Sequence, residues 1–150
     1  MDSDAHYMDL ALFEAKKAEM AGEVPVGAII VCGGDVIGRG FNQPISRSDP
    51  TAHAEILALR EAAHHQGNYR LPDATMYCTV EPCMMCAGAI IHARISRLIF
   101  GTPDPKAGSA GSIYNVLTDP RLNHRVDVIS GIREDECAAL VREFFAKRRG

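Results

Sequence analysis

The sequence of 150 residues predicts an α/β protein in which helices cover a mixed sheet of about five strands. The first indication is a hairpin, because two apolar β-rich segments, residues 26–32 and 36–41, flank a Gly-Gly-Asp turn. The second is the alternation of apolar strands and amphipathic helices in the rest of the chain. We see no internal repeat and no linker that would indicate a second domain.

Each element follows from a local pattern. Apolar residues at helical spacing predict four helices, at residues 7–20, 53–66, 84–93 and 134–147. Apolar and β-branched runs between turn residues predict five strands, at residues 26–32, 36–41, 74–80, 97–101 and 126–130. The polar segment 42–50 and the Gly-, Pro- and Ser-rich segment 102–111 are predicted loops, and a short helical turn is expected at 112–117.

Composition limits the class of protein. A hydrophobic content of 47% without low-complexity tracts predicts one folded domain over residues 1–150. No apolar run approaches the roughly 20 residues of a membrane-spanning helix, and the N-terminus is acidic, so we expect a cytoplasmic protein without membrane contact. Three of the five cysteines, Cys32, Cys78 and Cys137, lie in apolar segments and are expected to be buried free thiols.

The segment 81–86, Glu-Pro-Cys-Met-Met-Cys, carries the strongest functional signal. Cys83 and Cys86 are three residues apart, so their thiolates would lie on one face of a helical turn and could share a metal ion. Upstream, His53 and Glu55 form a His-x-Glu pair. Together with the proline before Cys83, these residues match the His-x-Glu and Pro-Cys-x-x-Cys signature of zinc-dependent nucleobase deaminases.

Local sequence explains why a metal would be bound here. Thr51 is a plausible N-cap, which would place His53 in the first turn of a helix. Pro82 favours the start of a second helix at Cys83. Side chains lean toward the N-terminal end of a helix, so His53 and Glu55 can converge on an ion there. Two helix N-termini facing one ion would stabilise the thiolates.

Four further blocks extend this motif: Glu23 to Ala28, Asp49 to Glu55, Glu81 to Ala89, and Asn123 to Val126. With them the chain resembles the bacterial tRNA-specific adenosine deaminases, members of the cytidine-deaminase-like superfamily. The resemblance implies a three-layer α/β/α sandwich and one Zn²⁺ per chain. It also implies a homodimer that converts the wobble adenosine of a tRNA anticodon stem-loop to inosine.

The resemblance also assigns roles to individual residues. It implies that His53, Cys83 and Cys86 are the zinc ligands and that Glu55 is the catalytic proton carrier. The implied substrate-binding positions are Asn42, Ala54, Asp104 and Phe145, of which Asn42 would hydrogen-bond the flipped base. Phe145 has a neighbouring aromatic, Phe144, and the pair cannot both face the core. One exposed aromatic beside the cations of residues 147–149 is a typical support for single-stranded bases.

Three alternatives remain at this level. Cys78 or His92 could complete a purely structural zinc site with four ligands, which would leave Glu55 without a role. The same site could deaminate a free base or nucleoside such as guanine or cytidine. A zinc-stabilised RNA-binding module without catalysis is the third alternative.

Two further points concern the binding of RNA. Asn42 could simply shape a turn. The net charge of −3 gives no global sign of a nucleic-acid partner, so local cations would have to hold RNA.

Overall fold

The computed structural model describes residues 2–149, with side chains from Ser3 to Arg148. Five helices and five strands follow one another within these residues. In order they are α1 (Asp2–Met20), β1 (Gly27–Cys32), β2 (Asp35–Phe41), α2 (Pro44–Arg47), α3 (Ala54–Gln66), β3 (Ala74–Val80), α4 (Met84–His92), β4 (Arg97–Thr102), β5 (Asp127–Ser130) and α5 (Glu134–Arg149). None of the helices within residues 2–149 combines the length and the hydropathy that crossing a membrane requires.

The five strands form one mixed sheet in the order β2-β1-β3-β4-β5. The hairpin β1–β2 and the pair β1–β3 are antiparallel, whereas β3–β4 and β4–β5 are parallel. Helix α4 provides the crossover that parallel β3 and β4 require. The prediction of a mixed five-stranded sheet is therefore confirmed.

Helices cover both faces of this sheet, and the side chains of each strand divide between them. One face carries Ala28, Ile30, Met76 and Leu98, which pack against residues of α3 and α4. The other carries Ile29, Val31, Tyr77 and Ile99, which pack against residues of α1 and α5. Because successive strand residues point to opposite faces, each central strand is apolar on both sides. The protein is thus a three-layer α/β/α sandwich, as expected.

Helix α3 lies unusually close to β2 because two glycines face it. A Cβ atom on Gly38 would lie 2.3 Å from the backbone oxygen of Ala58. A Cβ atom on Gly40 would lie 2.2 Å from the backbone oxygen of Ala54. Both distances are shorter than real Cβ contacts, so any side chain at these positions would push the helix outward. The glycines therefore fix the position of the N-terminal end of α3.

Two local predictions were wrong. The polar loop 42–50 contains the short helix α2, which Pro44 starts. Helix α3 begins at Ala54 with His53 as its N-cap, and Thr51 is not the cap. The reason is that the Thr51 hydroxyl and N–H both donate to Oδ1 of Asp49, at 2.7 and 2.8 Å, so Thr51 belongs to a turn before the helix.

Two further differences from the predictions concern residues 112–117 and the free thiol of Cys32. Residues 112–117, predicted to form a helical turn, contain an isolated bridge between Ala110 and Asn115 instead. Cys78 and Cys137 are buried free thiols as predicted, whereas Cys32 is partly exposed at the end of β1, beside the hairpin turn.

Candidate active site

Two helix N-termini meet at the carboxyl end of β3. His53 is the N-cap residue of α3, and Cys83 is the N-cap residue of α4, directly after Pro82. Neither residue caps its helix with a side-chain hydrogen bond, so the imidazole and the thiol remain available. Cys86 lies one turn into α4 and is fully buried. The sequence from β3 through Pro82 therefore delivers both thiols to the start of α3.

The three predicted metal ligands converge. Nδ1 of His53 lies 3.6 Å from Sγ of Cys83 and 3.6 Å from Sγ of Cys86. Zinc bonds of 2.3 Å to sulfur and 2.0–2.1 Å to nitrogen, at a tetrahedral angle, would hold S and N about 3.5 Å apart. All three donor atoms lie within 4.8 Å of one another, and no fourth His, Cys, Asp or Glu among residues 2–149 joins them. The donor set and its spacing fit a three-ligand zinc site.

The electrostatics of the two thiols favour a thiolate even without a metal. A hydrogen bond from Cys86 lowers the pKa of Cys83 to about 4, and the His53 imidazole adds to this effect. The same interaction raises the pKa of Cys86, because its proton is shared with the Cys83 sulfur. The hydrogen bond with Cys83 in turn raises the pKa of His53. These contacts favour a thiolate at Cys83, which is the form of cysteine that binds a metal.

Glu55 lies in the first turn of α3, beside this group, and is only 4% exposed. Burial raises the pKa of its carboxyl from 4.5 to about 7, and the neighbouring Cys83 thiolate adds to the rise. Groups that titrate near neutrality can both accept and donate a proton at physiological pH. Glu55 has no ion pair among the described residues that would fix it in one charge state. Its environment suits a general acid–base.

An open cleft of about 950 Å³ gives access to these groups. Six of the eight predicted site residues line it, namely Asn42, His53, Glu55, Cys83, Asp104 and Phe145. The other two, Ala54 and Cys86, are fully buried and do not line it. One wall comes from the loop after β4 and another from α5, which contributes Ala138, Val141 and Arg142. The structure thus brings predicted site residues from five separate segments to one surface.

Asn42 has a structural contact as well as a position in the cleft. Its Oδ1 accepts the N–H of Ala54 at 2.8 Å, which satisfies a free donor at the start of α3. The amide oxygen of Asn42 therefore has the structural role that the alternative reading gave to this residue. Because the amide oxygen is engaged, the Nδ2 group is the part left to meet a ligand in the cleft.

Glu81 has a role that sequence reasoning missed. It is only 3% exposed, yet its carboxylate accepts N–H groups of Asp104, Ala110 and Ser112 at 2.8–3.1 Å, and also the Ser112 hydroxyl. It therefore holds the loop that carries Asp104 against the cleft. The sequence did contain a signal for this role, since Glu81 directly follows a buried strand. A carboxylate that is buried there requires several hydrogen-bond donors from elsewhere in the chain.

We expect Glu81→Gln to loosen this loop. A carboxamide would present an NH₂ group to backbone donors, and each charge-assisted hydrogen bond lost costs roughly 1.5–3 kcal/mol. The variant should have a lower Tm and a raised KM with its metal retained, measured by thermal unfolding, steady-state kinetics and metal content.

The pH dependence supplies a control for that variant. Burial opposes ionisation of Glu81, but the hydrogen bonds from Ser112, Asp104 and Ala110 outweigh it and lower its pKa below 4.5. Its contribution to stability is therefore present above pH 4.5 and lost as the pH falls through the lower folded value. The Tm difference between wild type and variant should shrink on acidification. A difference that is the same at pH 7 and pH 3 would contradict the carboxylate's role.

The C-terminal helix presents one aromatic side chain to the cleft. Phe144 is buried, and Phe145 is 42% exposed and lines the cleft, which confirms that only one of the pair faces the core. Arg148 is already engaged, because its Nη2 donates to the Gly22 carbonyl at 2.8 Å and its guanidinium lies 4.3 Å from the Phe144 ring centre. The side chain of Arg149 lies outside the described residues.

Comparison with known proteins agrees with this site. The family model of the MafB19-like deaminases matches residues 2–149. A tRNA-specific adenosine deaminase of Haemophilus influenzae is 50% identical over 147 residues, which is 97% of this chain and 85% of that protein. One from Bacillus subtilis is 44% identical over 149 residues, 99% of this chain and 92% of that protein.

Solved structures give the same result. A structure from work on A-to-I editing by tRNA:A34 deaminases at the wobble position of transfer RNA has a TM-score of 0.87 and 47% identity, and the match covers 90% of this chain and 98% of that one. The guanine deaminase of Nitrosomonas europaea has a TM-score of 0.82 at 24% identity, covering 95% and 84% of the two chains, which shows the fold alone. The chain belongs to the MafB19-like deaminases, and within them to the family of bacterial tRNA-specific adenosine deaminases.

Proposed function

We propose that this enzyme deaminates the wobble adenosine of a tRNA anticodon loop to inosine, by hydrolysis. The observation that carries the proposal is the position of the buried Glu55 carboxyl beside the convergent His53, Cys83 and Cys86, at the floor of a cleft open to solvent. Identities of 50% and 44% to the tRNA-specific adenosine deaminases of Haemophilus influenzae and Bacillus subtilis, over nearly the whole chain, support the choice of substrate.

We infer that His53, Cys83 and Cys86 hold one zinc ion per chain. Nδ1 of His53 is the nitrogen that faces both sulfurs, so it is the donor atom we assign. Three protein ligands are typical of catalytic zinc sites, whereas structural sites use four. When bound, zinc supplies a Lewis acid that lowers the pKa of a water molecule. The alternative in which Cys78 or His92 completes a structural site has no support among the described residues.

Glu55 is assigned the proton transfers. It accepts a proton from the attacking water and passes it to N1 of the purine while the new C6–O bond forms. It then takes the proton of the new C6 hydroxyl and delivers it to N6, so that the C6–N6 bond breaks, the C6 carbonyl of inosine forms and ammonia leaves. One carboxyl that alternates between its two charge states is sufficient, and adenosine plus water becomes inosine plus ammonia.

The remaining predicted residues are assigned to the RNA. Asn42, with its Oδ1 engaged by Ala54, offers Nδ2 as a donor to the flipped base. Ala54, which is buried, is assigned to positioning Asn42, because its N–H donates to Oδ1 of that residue. Phe145, exposed on the cleft wall, is assigned to stacking of a neighbouring base, and Asp104 to contact with the anticodon loop.

We further infer a cytoplasmic homodimer whose protomer is a single deaminase domain. Large apolar side chains are exposed at the start of α4 and in the loop after β4, including Met84, Ile113 and Tyr114. Burial of such side chains between two copies would remove them from water. Free thiols and a tRNA substrate support a cytoplasmic location.

The test is to incubate the purified protein with an unmodified anticodon stem-loop, with free adenosine, and with free guanine and cytidine. We expect inosine to form in the stem-loop with a kcat/KM several orders of magnitude above that for adenosine, since binding energy from the flanking nucleotides contributes to the transition state. Equal efficiency on adenosine would favour a small-molecule deaminase. RNA binding without any product would favour a non-catalytic zinc module.

A further inference from the structure

A second cavity of about 430 Å³ lies beside the open edge of β2, outside the active-site cleft. Residues of α1, β2, α2 and α3 line it. Four of them are cationic, namely Lys17, Arg39, Arg47 and Arg60, and two are acidic, Glu14 and Glu61. In a chain with a net charge of −3, this is a local excess of positive charge.

The two acids are occupied by structural contacts. Glu14 is buried, and its carboxylate lies 2.9 Å from Nζ of Lys17. Glu61 accepts the backbone N–H of Arg39 at 3.0 Å, which satisfies a donor at the edge of the sheet. With Lys17 paired to Glu14, the arginines Arg39, Arg47 and Arg60 remain against one acid, Glu61, so the cavity keeps a net positive charge.

Two arginines are the most available of these cations. Within residues 2–149 the guanidinium of Arg39 makes no hydrogen bond or ion pair. Arg60 makes one long contact, 3.9 Å to Asp49, between groups that are both partly exposed. Such surface pairs are worth little. Arg47, by contrast, donates to the Gln43 side chain at 3.1 Å and helps to hold α2.

The position of this basic cavity relates it to the active site. The segment that contains α2 separates the two cavities. Asn42 and Pro44 line the active-site cleft, whereas Gln43 and Arg47 line the basic cavity. Because Asn42 and Gln43 are consecutive residues that line different cavities, the cavities are neighbours, and RNA with one base against Asn42 could extend over α2 to bring a phosphate to the arginines.

We propose that the basic cavity binds backbone phosphates of the RNA substrate next to the reacting nucleotide. The proposal rests on the proposed function and identifies where an acidic protein holds a polyanion. Exposed arginines with free guanidinium donors suit phosphate oxygens, which they contact in a bidentate manner. Arg148, near the end of α5, is a weaker candidate for phosphate binding, because it already contacts the Gly22 carbonyl and the Phe144 ring.

The experiment compares the double variant Arg39→Gln, Arg60→Gln with a matched control, Arg70→Gln, Arg121→Gln. The control removes the same charge from exposed arginines that line neither cavity. Affinity for a fluorescent anticodon stem-loop is measured by anisotropy over a salt series, so the readout does not depend on turnover. Zinc content and Tm are measured in parallel to confirm that both proteins are folded.

We expect the double variant to bind more weakly at low salt and to lose about 0.7 from the log–log salt slope for each phosphate contact removed. Arg39→Lys, Arg60→Lys should restore much of the slope, since lysine also binds phosphate. A slope equal to that of the control would overturn the proposal. A wild type that binds the stem-loop but forms no inosine would overturn the proposed function instead, and leave the slope comparison valid.

Discussion

Glu55→Gln should lose at least about 10³-fold in turnover while it retains its zinc and its fold. The substitution keeps the size and shape of the side chain but removes its ability to carry a proton. Each transfer assigned to Glu55 then lacks a proton carrier beside the reacting atoms, because a carboxamide neither accepts nor releases a proton at neutral pH. Single-turnover kinetics on the stem-loop, together with metal analysis, would measure the effect.

The stability of the metal-free protein provides an independent control. The folded pKa of Glu55, about 7, is above its ordinary value of 4.5, so the native state binds a proton that the unfolded chain releases. Wild-type stability should therefore fall as the pH rises from 4.5 to about 7, and Gln at this position should remove that decline. After chelation, the Tm advantage of the variant should grow between pH 5 and pH 8. Loss of zinc together with activity would mean that Glu55 is a ligand.

Cys86→Ser should abolish both metal binding and activity. A serine hydroxyl is a poor zinc ligand at neutral pH, and two remaining ligands do not hold the ion firmly. Because Cys86 is fully buried in α4, between the site and the core, we also expect a lower Tm. Zinc per chain should fall from about one to near zero, as measured by elemental analysis.

Cys32→Ser is the matched control for that variant. Cys32 is a partly exposed free thiol at the end of β1, far along the chain from both helices of the site. The Cys32→Ser variant should keep its zinc, its activity and nearly all of its stability. A Cys86→Ser protein that still binds one zinc per chain would contradict the ligand assignment.

Most of the fold could be predicted because it depends on local patterns. The strand 74–80 was predicted with its observed bounds, since an apolar β-rich run between turn residues has little alternative. The start of α3 was not predicted correctly. A threonine before a helix is commonly its cap, but Asp49 competes for the Thr51 hydroxyl and moves the start of the helix to Ala54. Competition between neighbouring side chains is not visible in a residue pattern.

The site shows the same division between local and long-range features. The His-x-Glu and Cys-x-x-Cys motifs each lie within one turn of chain, so their residue types revealed the chemistry. The role of Glu81 depends on a loop more than twenty residues later that folds back over its carboxylate. The engagement of Arg148 depends on Gly22, at the other end of the chain. Such contacts follow from the assembled sheet and leave no spacing rule in the sequence.

The close approach of α3 to β2 has a consequence for mutational scanning. Gly38 and Gly40 touch no part of the cleft, yet any side chain there would displace the helix whose N-terminus carries His53 and Glu55. In an activity screen these glycines should rank beside the catalytic residues. Only a paired measurement of protein abundance would separate the two groups, because Glu55 variants should accumulate normally and Gly38 or Gly40 variants should not. The requirement for glycine at these two positions, which comes from the close packing of α3 on β2, is therefore expected to be as strict as the requirement for a catalytic side chain.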